Sequence, residues 1–460
     1  MPTATQYLRP WDTQSKMPRT VSKGTPFLEI LLDGEQRTYQ AGNTITGRVV
    51  RNAPVVAARA WLAIQVHGRS KSKKTVSRGK AGTSIYRGRF NFFGPDQNRQ
   101  QLFDGPIHIP PGGAVKEWPF AVTVPSRLDP STVATGNEQK YSYLPLGPQD
   151  VATHSMPPVF YASGIWMATT YQCYVEYFLE AQLHVEAAAG PTNIDTATLP
   201  VNITPPSTPD MITDFDLSRH SFLCRLSTHR FIPGLETAGL SLQQRTQKFF
   251  GSSKVPQFAF SLQVDCPSVL QLENPNPIPF RALVIPNQAQ TTDTIRDALH
   301  TVTLTSMTFE IKASTEMICP GTLRSHTADE TRRVGFELES AIAQLGAPIV
   351  LPSGEKAEPL DIGALLQLRI TSATPLGHRP FSSYTGQLYP SFETYNIKHS
   401  HRLKWDLTVT AGGESTELSN EVDITLLPLS GLPASDTIDG GDWPIGKEHY
   451  EEHGNMGIED

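Results

Sequence analysis

Eight cations crowd between Arg69 and Arg89 with no Asp or Glu among them: Arg69, Lys71, Lys73, Lys74, Arg78, Lys80, Arg87 and Arg89. Cations at this density attract phosphates and carboxylates, and beside an anionic lipid surface each contributes about 1 kcal/mol. Two readings of this stretch are open. Either it is a loop that binds phosphates on a receptor tail or an anionic leaflet, or it is a solvated, flexible loop without a partner. Ser70, Ser72, Thr75 and Ser77 lie inside it, and phosphorylating them would cancel much of the charge. Aromatic interleaving is thin, which argues against nucleic acid. The whole chain carries net charge −6, from 39 Lys plus Arg against 45 Asp plus Glu, so the cationic character is local.

Signals for catalysis are absent from the pattern. There is no G-x-S-x-G elbow, no HExxH helix and no Gly-rich turn after a strand that would cradle a dinucleotide. The expectation is a non-enzymatic protein without cofactor or metal. His399 and His401 share a strand face at period two, but no acidic or Cys neighbour stands at ligand spacing, so they read as surface or interface histidines. Near the C-terminus Gly441, Gly446 and Lys447 imitate a P-loop, yet Glu448 replaces the magnesium-binding hydroxyl. His449, Glu452 and His453 imitate a zinc peptidase motif without a further ligand. Cys173, Cys224, Cys266 and Cys319 lie far apart with no CxxC pair, as expected of free thiols in a reducing compartment.

The elements that must hold these residues are strands. Apolar and polar residues alternate from Tyr171 to Val185, and again through Ala60–Val66, Phe258–Cys266, Leu366–Ile370, Leu403–Val409 and Val422–Leu426. Between Thr301 and Lys312 the alternation slips phase, which places a β-bulge near Ser306. Helical periodicity is confined to Phe336–Leu345. With 34 Gly and 38 Pro punctuating 460 residues, the chain reads as all-β, in two consecutive antiparallel β-sandwich domains. The expected organisation is a disordered segment over 1–24, a sandwich over 25–205, an inter-domain connection over 206–251, a second sandwich over 252–430 and an acidic flexible tail over 431–460.

Two stretches resemble the N-terminal domain of arrestin-like proteins. One is FLEILLDGEQRTYQAGNTITGRVVR, with Tyr39, Ala41, Gly42, Asn43, Ile45, Gly47 and Val49. The other is LFDGPIHIPPGGAVKEWPFAVTVP, with Trp118, Pro119, Phe120 and Pro125. FSLQVDCPSVL, RALVIPN, YNIKHSHRLKWDLTVTAGGE and EVDITLLPL resemble the arrestin C-terminal domain. The resemblance spans most of residues 27–428 and is to the α-arrestin-like branch of filamentous fungi. It implies an adaptor that links membrane transporters or receptors, through their cytosolic tails, to a HECT-type ubiquitin ligase and so to endocytosis. That link depends on PPxY motifs, which this chain lacks. Its nearest string is Pro157, Pro158, Val159, Phe160 and Tyr161, with one residue too many before the Tyr, so Pro157, Pro158 and Tyr161 stand as an atypical docking segment or as a loop entering a strand. A second reading is a cargo-sorting or coat subunit of a retromer-like complex.

The tail carries one lysine against eight carboxylates, net −7, and Trp443 with Ile445 would anchor it if it folds back on basic surface of the first domain. The first 24 residues hold scattered Arg and Lys without an apolar core, and no run of about 18 apolar residues occurs. The expected location is cytoplasmic, with peripheral recruitment to the plasma membrane or endosomes through contact with anionic membrane.

Overall fold

The computed structural model describes residues 20–24, 27–34, 38–186, 193–204, 211–236, 239, 241–249, 254–321, 326–336, 338–370 and 388–428. The alternating segments become strands because only a pleated strand sends every second side chain to one side. In the first half these are β1 (Glu29–Leu32), β2 (Thr38–Gln40), β3 (Thr44–Arg51), β4 (Val55–Ser77), β5 (Thr83–Asn91), β6 (Gln100–Ile109), β7 (Lys116–Thr123), β8 (Phe160–Trp166), β9 (Thr169–Val185) and β10 (Asn193–Thr204). A small sheet runs β1-β3-β7. A large one runs β2-β10-β9-β4-β5, with β6 added along β4 and β8 along β9.

The second half contains β11 (Leu217–Ser227), β12 (Gln257–Pro267), β13 (Val269–Gln271), β14 (Arg281–Pro286), β15 (Val302–Cys319), β16 (His326–Phe336), β17 (Ile349–Leu351), β18 (Leu360–Asp361), β19 (Phe392–Glu393), β20 (Ile397–Ala411) and β21 (Glu414–Leu427). From β12 to β21 it repeats the first half strand for strand. The small sheet β12-β14-β18 matches β1-β3-β7. The large sheet β13-β21-β20-β15-β16, with β17 on β15 and β19 on β20, matches its counterpart in full. Even the parallel pairing recurs, β2 with β10 and β13 with β21. The chain is therefore all-β, and its described residues form two ten-strand units of one wiring, with β11 as an added edge strand.

Particular expectations meet the structure differently. The register slips between Leu304 and Ser306 on β15, where the phase change lies. A helix spans Leu338–Gln344, inside the one helical window. Gly42, in the Ala-Gly-Asn corner, has φ +83 and donates its N–H to the Val124 carbonyl at 3.0 Å, a conformation that suits glycine. The stretch over 206–251 is corrected: it contains β11, paired along its whole length with β12, and a helix at Leu242–Phe249. β11 escaped notice because an edge strand buries little, here only Cys224 and Leu226. Residues 20–24, expected to be disordered, are also corrected, since Lys23 bridges Thr198 of β10 through backbone hydrogen bonds of 2.9 and 3.3 Å. Leu366, Leu368 and Ile370 are not a strand. Leu366 closes a helix, Gln367 takes a left-handed φ of 54°, and all three apolar side chains are still buried.

Each unit packs its two sheets on one apolar core, and the first core also takes in Met317, Cys319, Tyr395 and Ile397 from the second half. Polar side chains close this junction. Asn396 accepts from the Ser70 hydroxyl at 2.6 Å and donates to the Ser72 hydroxyl at 3.0 Å, while Ser72 donates to the Ile318 carbonyl at 2.5 Å. All three side chains are buried. Tyr141 adds a bond to the Gly321 carbonyl, and the Tyr395 ring stacks on Phe90 with centroids 5.1 Å apart. Approach is this close because residue 88 is glycine: a Cβ there would stand 3.1 Å from the Ile318 carbonyl oxygen and 3.2 Å from Pro320 across the junction, and 2.6 Å from the Ser72 hydroxyl. His399 and His401 lie beside this junction, both buried; Phe160 packs on His399 and Ser391 hydrogen-bonds His401. Burial pushes the His401 imidazole down to about 4, so it is neutral at pH 7. Among the described residues no group of three potential metal ligands forms, and all four cysteines are free and buried.

Replacing Asn396 by Ala strands the buried Ser70 hydroxyl and removes the donor to Ser72, which keeps its own bond to the Ile318 carbonyl, a loss on the order of 2 kcal/mol. Urea unfolding should show the midpoint fall accordingly. An unchanged midpoint would mean the Asn396 hydrogen bonds contribute nothing to stability.

Candidate anion-binding face

The cationic segment is not a loop. It is the distal part of β4, a 3₁₀ turn at Gly79–Ala81 and then β5, a correction to the expected flexible segment. Strand geometry then sorts its residues. Ser70 and Ser72 face the junction, while Arg69, Lys71 and Lys73 point to the outer face of the large sheet. On β5, Arg89 stands directly opposite Lys71 and Arg87 opposite Lys73. On the other flank β9 sets Glu176 against Arg69, Tyr174 against Lys71 and Gln172 against Lys73, and β8 sets Tyr161 against Tyr174.

One charge on this face is neutralised. Arg69 Nε donates to Glu176 Oε1 at 2.6 Å and its Nη2 lies 2.5 Å from the same oxygen; Glu176 is fully buried. The backbone N–H of Thr20 donates to Glu176 Oε2 at 2.8 Å, which ties residue 20 across the sheet. The Arg69 guanidinium also covers the Phe178 ring at 4.7 Å. The other cations are crowded without such relief. Among the described residues, no carboxylate forms an ion pair with Lys71, Lys73, Arg87 or Arg89. Like charges directly opposite across a ladder destabilise it. Burial, then the Arg69 charge and more weakly that of Arg89, push the Lys71 ammonium down to about 8, against the pull of Glu176. Arg89 is lowered as well, by burial first and then by Arg69. Lys71 Nζ lies 5.9 Å from the centre of the Tyr174 ring, and Lys73, Arg87 and Arg89 are exposed.

Five of the eight cations thus share one face. Lys74 does not: it points the other way, where its charge and backbone N–H meet the Cys319 thiol. Arg78 and Lys80 occupy the hairpin end, where Arg78 reaches the Tyr86 hydroxyl at 3.5 Å. Ser70 and Ser72 are held by Asn396 and are closed to a kinase, which corrects their reading as phosphorylation sites. The docking segment is corrected too. Pro157 and Pro158 are buried, the Pro157 carbonyl accepts from the Tyr177 hydroxyl at 2.6 Å, and Tyr161 lies in β8 with its hydroxyl bound by Gln172 at 2.9 Å. The strand-entry alternative describes it. Trp443 and Ile445, with the rest of the tail, lie outside the described residues. Tyr174 and Gln172 are the face members that motif reading missed. The alternation from Tyr171 to Val185 already put Gln172 on the polar face, but pairing with Lys73 needed the ladder.

No family model matches the chain, and no curated protein matches it. Among the described residues no helix is long and apolar enough to cross a membrane.

A lysine held at about 8 against an ordinary 10.5 makes folding cost charge on Lys71 below pH 8, and that cost fades as pH rises to about 10.5. Stability of the unaltered protein relative to Lys71→Gln should therefore rise between pH 8 and 10.5. A flat difference across that window would contradict the crowding.

Proposed function

We propose that this protein is a non-enzymatic adaptor of the arrestin-like kind, whose outer N-terminal sheet holds phosphate-bearing segments on the cytosolic tails of membrane transporters or receptors. The observation that carries the reading is the pair of directly opposed cations, Lys71 with Arg89 and Lys73 with Arg87. A phosphate between the strands would convert two repulsions into charge-assisted hydrogen bonds, with the Arg guanidinium groups offering paired donors. Tyr174 and Gln172 beside them supply further polar groups at the same level. The motif order along residues 27–428 and the two sandwiches of one wiring support the arrestin-like part of the proposal. Such an adaptor would hand its cargo to ubiquitin-dependent endocytosis. The buried Pro157 and Pro158 cannot reach a WW domain without leaving the core, so the contact with a HECT-type ligase in this proposal is indirect.

The test is binding of a multiply phosphorylated peptide and of its unphosphorylated form. The unaltered protein should prefer the phosphorylated form. Combining Lys73→Ala, Arg87→Ala and Arg89→Ala should weaken binding by about tenfold or more, the equivalent of one lost charge-assisted bond. Affinity should also fall as pH rises through about 8, because a bound anion favours the protonated Lys71. Equal affinity for both peptides would overturn the reading, and recovery from cells in a fixed set of coat subunits would favour the sorting-complex alternative.

A further inference from the structure

The far end of the same sheet has a different character. The β8–β9 turn lies beside the end of β4, where the Ser77 N–H donates to the Ala168 carbonyl at 2.8 Å. At this end Ile165 is 78% exposed, Met167 82% and Ile85 44%. Register places two of them in one cross-strand row: Ile165 opposite Thr170, Thr170 opposite Thr75, and Thr75 opposite Ile85. The next row inward is Ser163, Gln172, Lys73 and Arg87, and the one after it is Tyr161, Tyr174, Lys71 and Arg89. Adjacent rows are about 7 Å apart, two residues of strand rise. The face is thus graded from an apolar rim to two cationic rows. Neither contributing stretch, 69–94 or 155–175, contains a single Asp or Glu.

Met167 adds a second observation. Its φ is 51°, the left-handed region that an ordinary side chain occupies at a cost and Asn or Gly occupies readily. A bulky apolar residue is therefore held in a conformation that suits it poorly, and it points into solvent.

We propose that this end of the sheet is a membrane-contact edge: Met167, Ile165 and Ile85 enter the acyl boundary of an anionic bilayer while Lys73 and Arg87 meet its headgroup phosphates. An apolar rim with cations about 7 Å above it matches the shallow depth to which interfacial elements sink. Arg78 and Lys80, at the neighbouring turn, extend the cationic collar. The sheet then stands on the leaflet with its Lys71–Arg89 row just above the surface, where a short cytosolic tail emerges. This inference shares Lys73 and Arg87 with the functional reading above but not the apolar rim, so the two fail separately.

The experiment uses the full chain in co-sedimentation with vesicles of phosphatidylcholine alone and of phosphatidylcholine mixed with phosphatidylserine. The double variant Ile165→Thr, Met167→Asn keeps a β-branched residue in the strand and puts a left-handed-compatible residue in the turn, so it should fold at least as well. The unaltered protein should bind the mixed vesicles and not the neutral ones. The double variant should bind them at least about tenfold more weakly, with its phosphopeptide affinity unchanged. Vesicle binding that survives the double variant would overturn the inference, as would a protein that binds phosphopeptide but neither vesicle. Loss of phosphopeptide binding in the double variant would assign the rim to peptide docking instead.

Discussion

Everything distinctive about this protein passes through the buried amide of Asn396. It accepts from Ser70 and donates to Ser72, two hydroxyls facing inward from β4 where a sandwich would ordinarily place aliphatic side chains. A hydroxyl buried without a partner costs about 1–3 kcal/mol. The distal half of β4 is laddered between β9 and β5, and the second unit docks on its inward side through Asn396, the Ile318 carbonyl and the space left by Gly88. The same alternation that turns Ser70 and Ser72 inward turns Arg69, Lys71 and Lys73 outward. Domain junction and cationic face are two sides of one strand.

The repeat of topology sharpens the point. β15 and β20 occupy in the second unit the places of β4 and β9, and their outward residues are also charged. There, however, the charges are paired: Lys312 and Arg402 with Glu421, Arg402 also with Asp423, Lys404 with Asp406, and Arg333 with Glu310. Exposed pairs of this kind add little stability, but they leave no net field. On the distal part of β4 in the first unit Glu176 answers Arg69, while Lys71 and Lys73 face Arg89 and Arg87. With the same wiring in both units, the difference lies in the outward residues, which have no part in the core.

Much of this was legible in the chain wherever one strand face is aliphatic. β9, β12, β20 and the bulge on β15 follow directly from alternation, because burying every second apolar side chain is a local pattern. The distal half of β4 was not legible, since its inward residues are serines whose partners lie hundreds of positions away. Without the partner, S-K-S-K-K reads as a polar loop. β11 was hidden because an edge strand needs few buried residues, and Leu366–Ile370 misled because a left-handed Gln367 turns a helix end so that alternate residues are all buried. The eight cations were found by composition, but only the ladder divides them into five on one face, one behind it and two at its end. The Pro157–Tyr161 segment shows the converse error, a recognition-like string whose prolines the core consumes.

In the proposed function phosphate is held between β4 and β5 on the outer sheet face. It is tested most directly by NMR of the lysine side chains, with a multiply phosphorylated peptide added stepwise and the Lys71 resonance followed through its titration near pH 8. On binding, the Lys71 and Lys73 resonances should move together and the Lys71 midpoint should rise, while Lys404, already beside Asp406, stays in place. A peptide that binds while Lys71 and Lys73 are unmoved would contradict it.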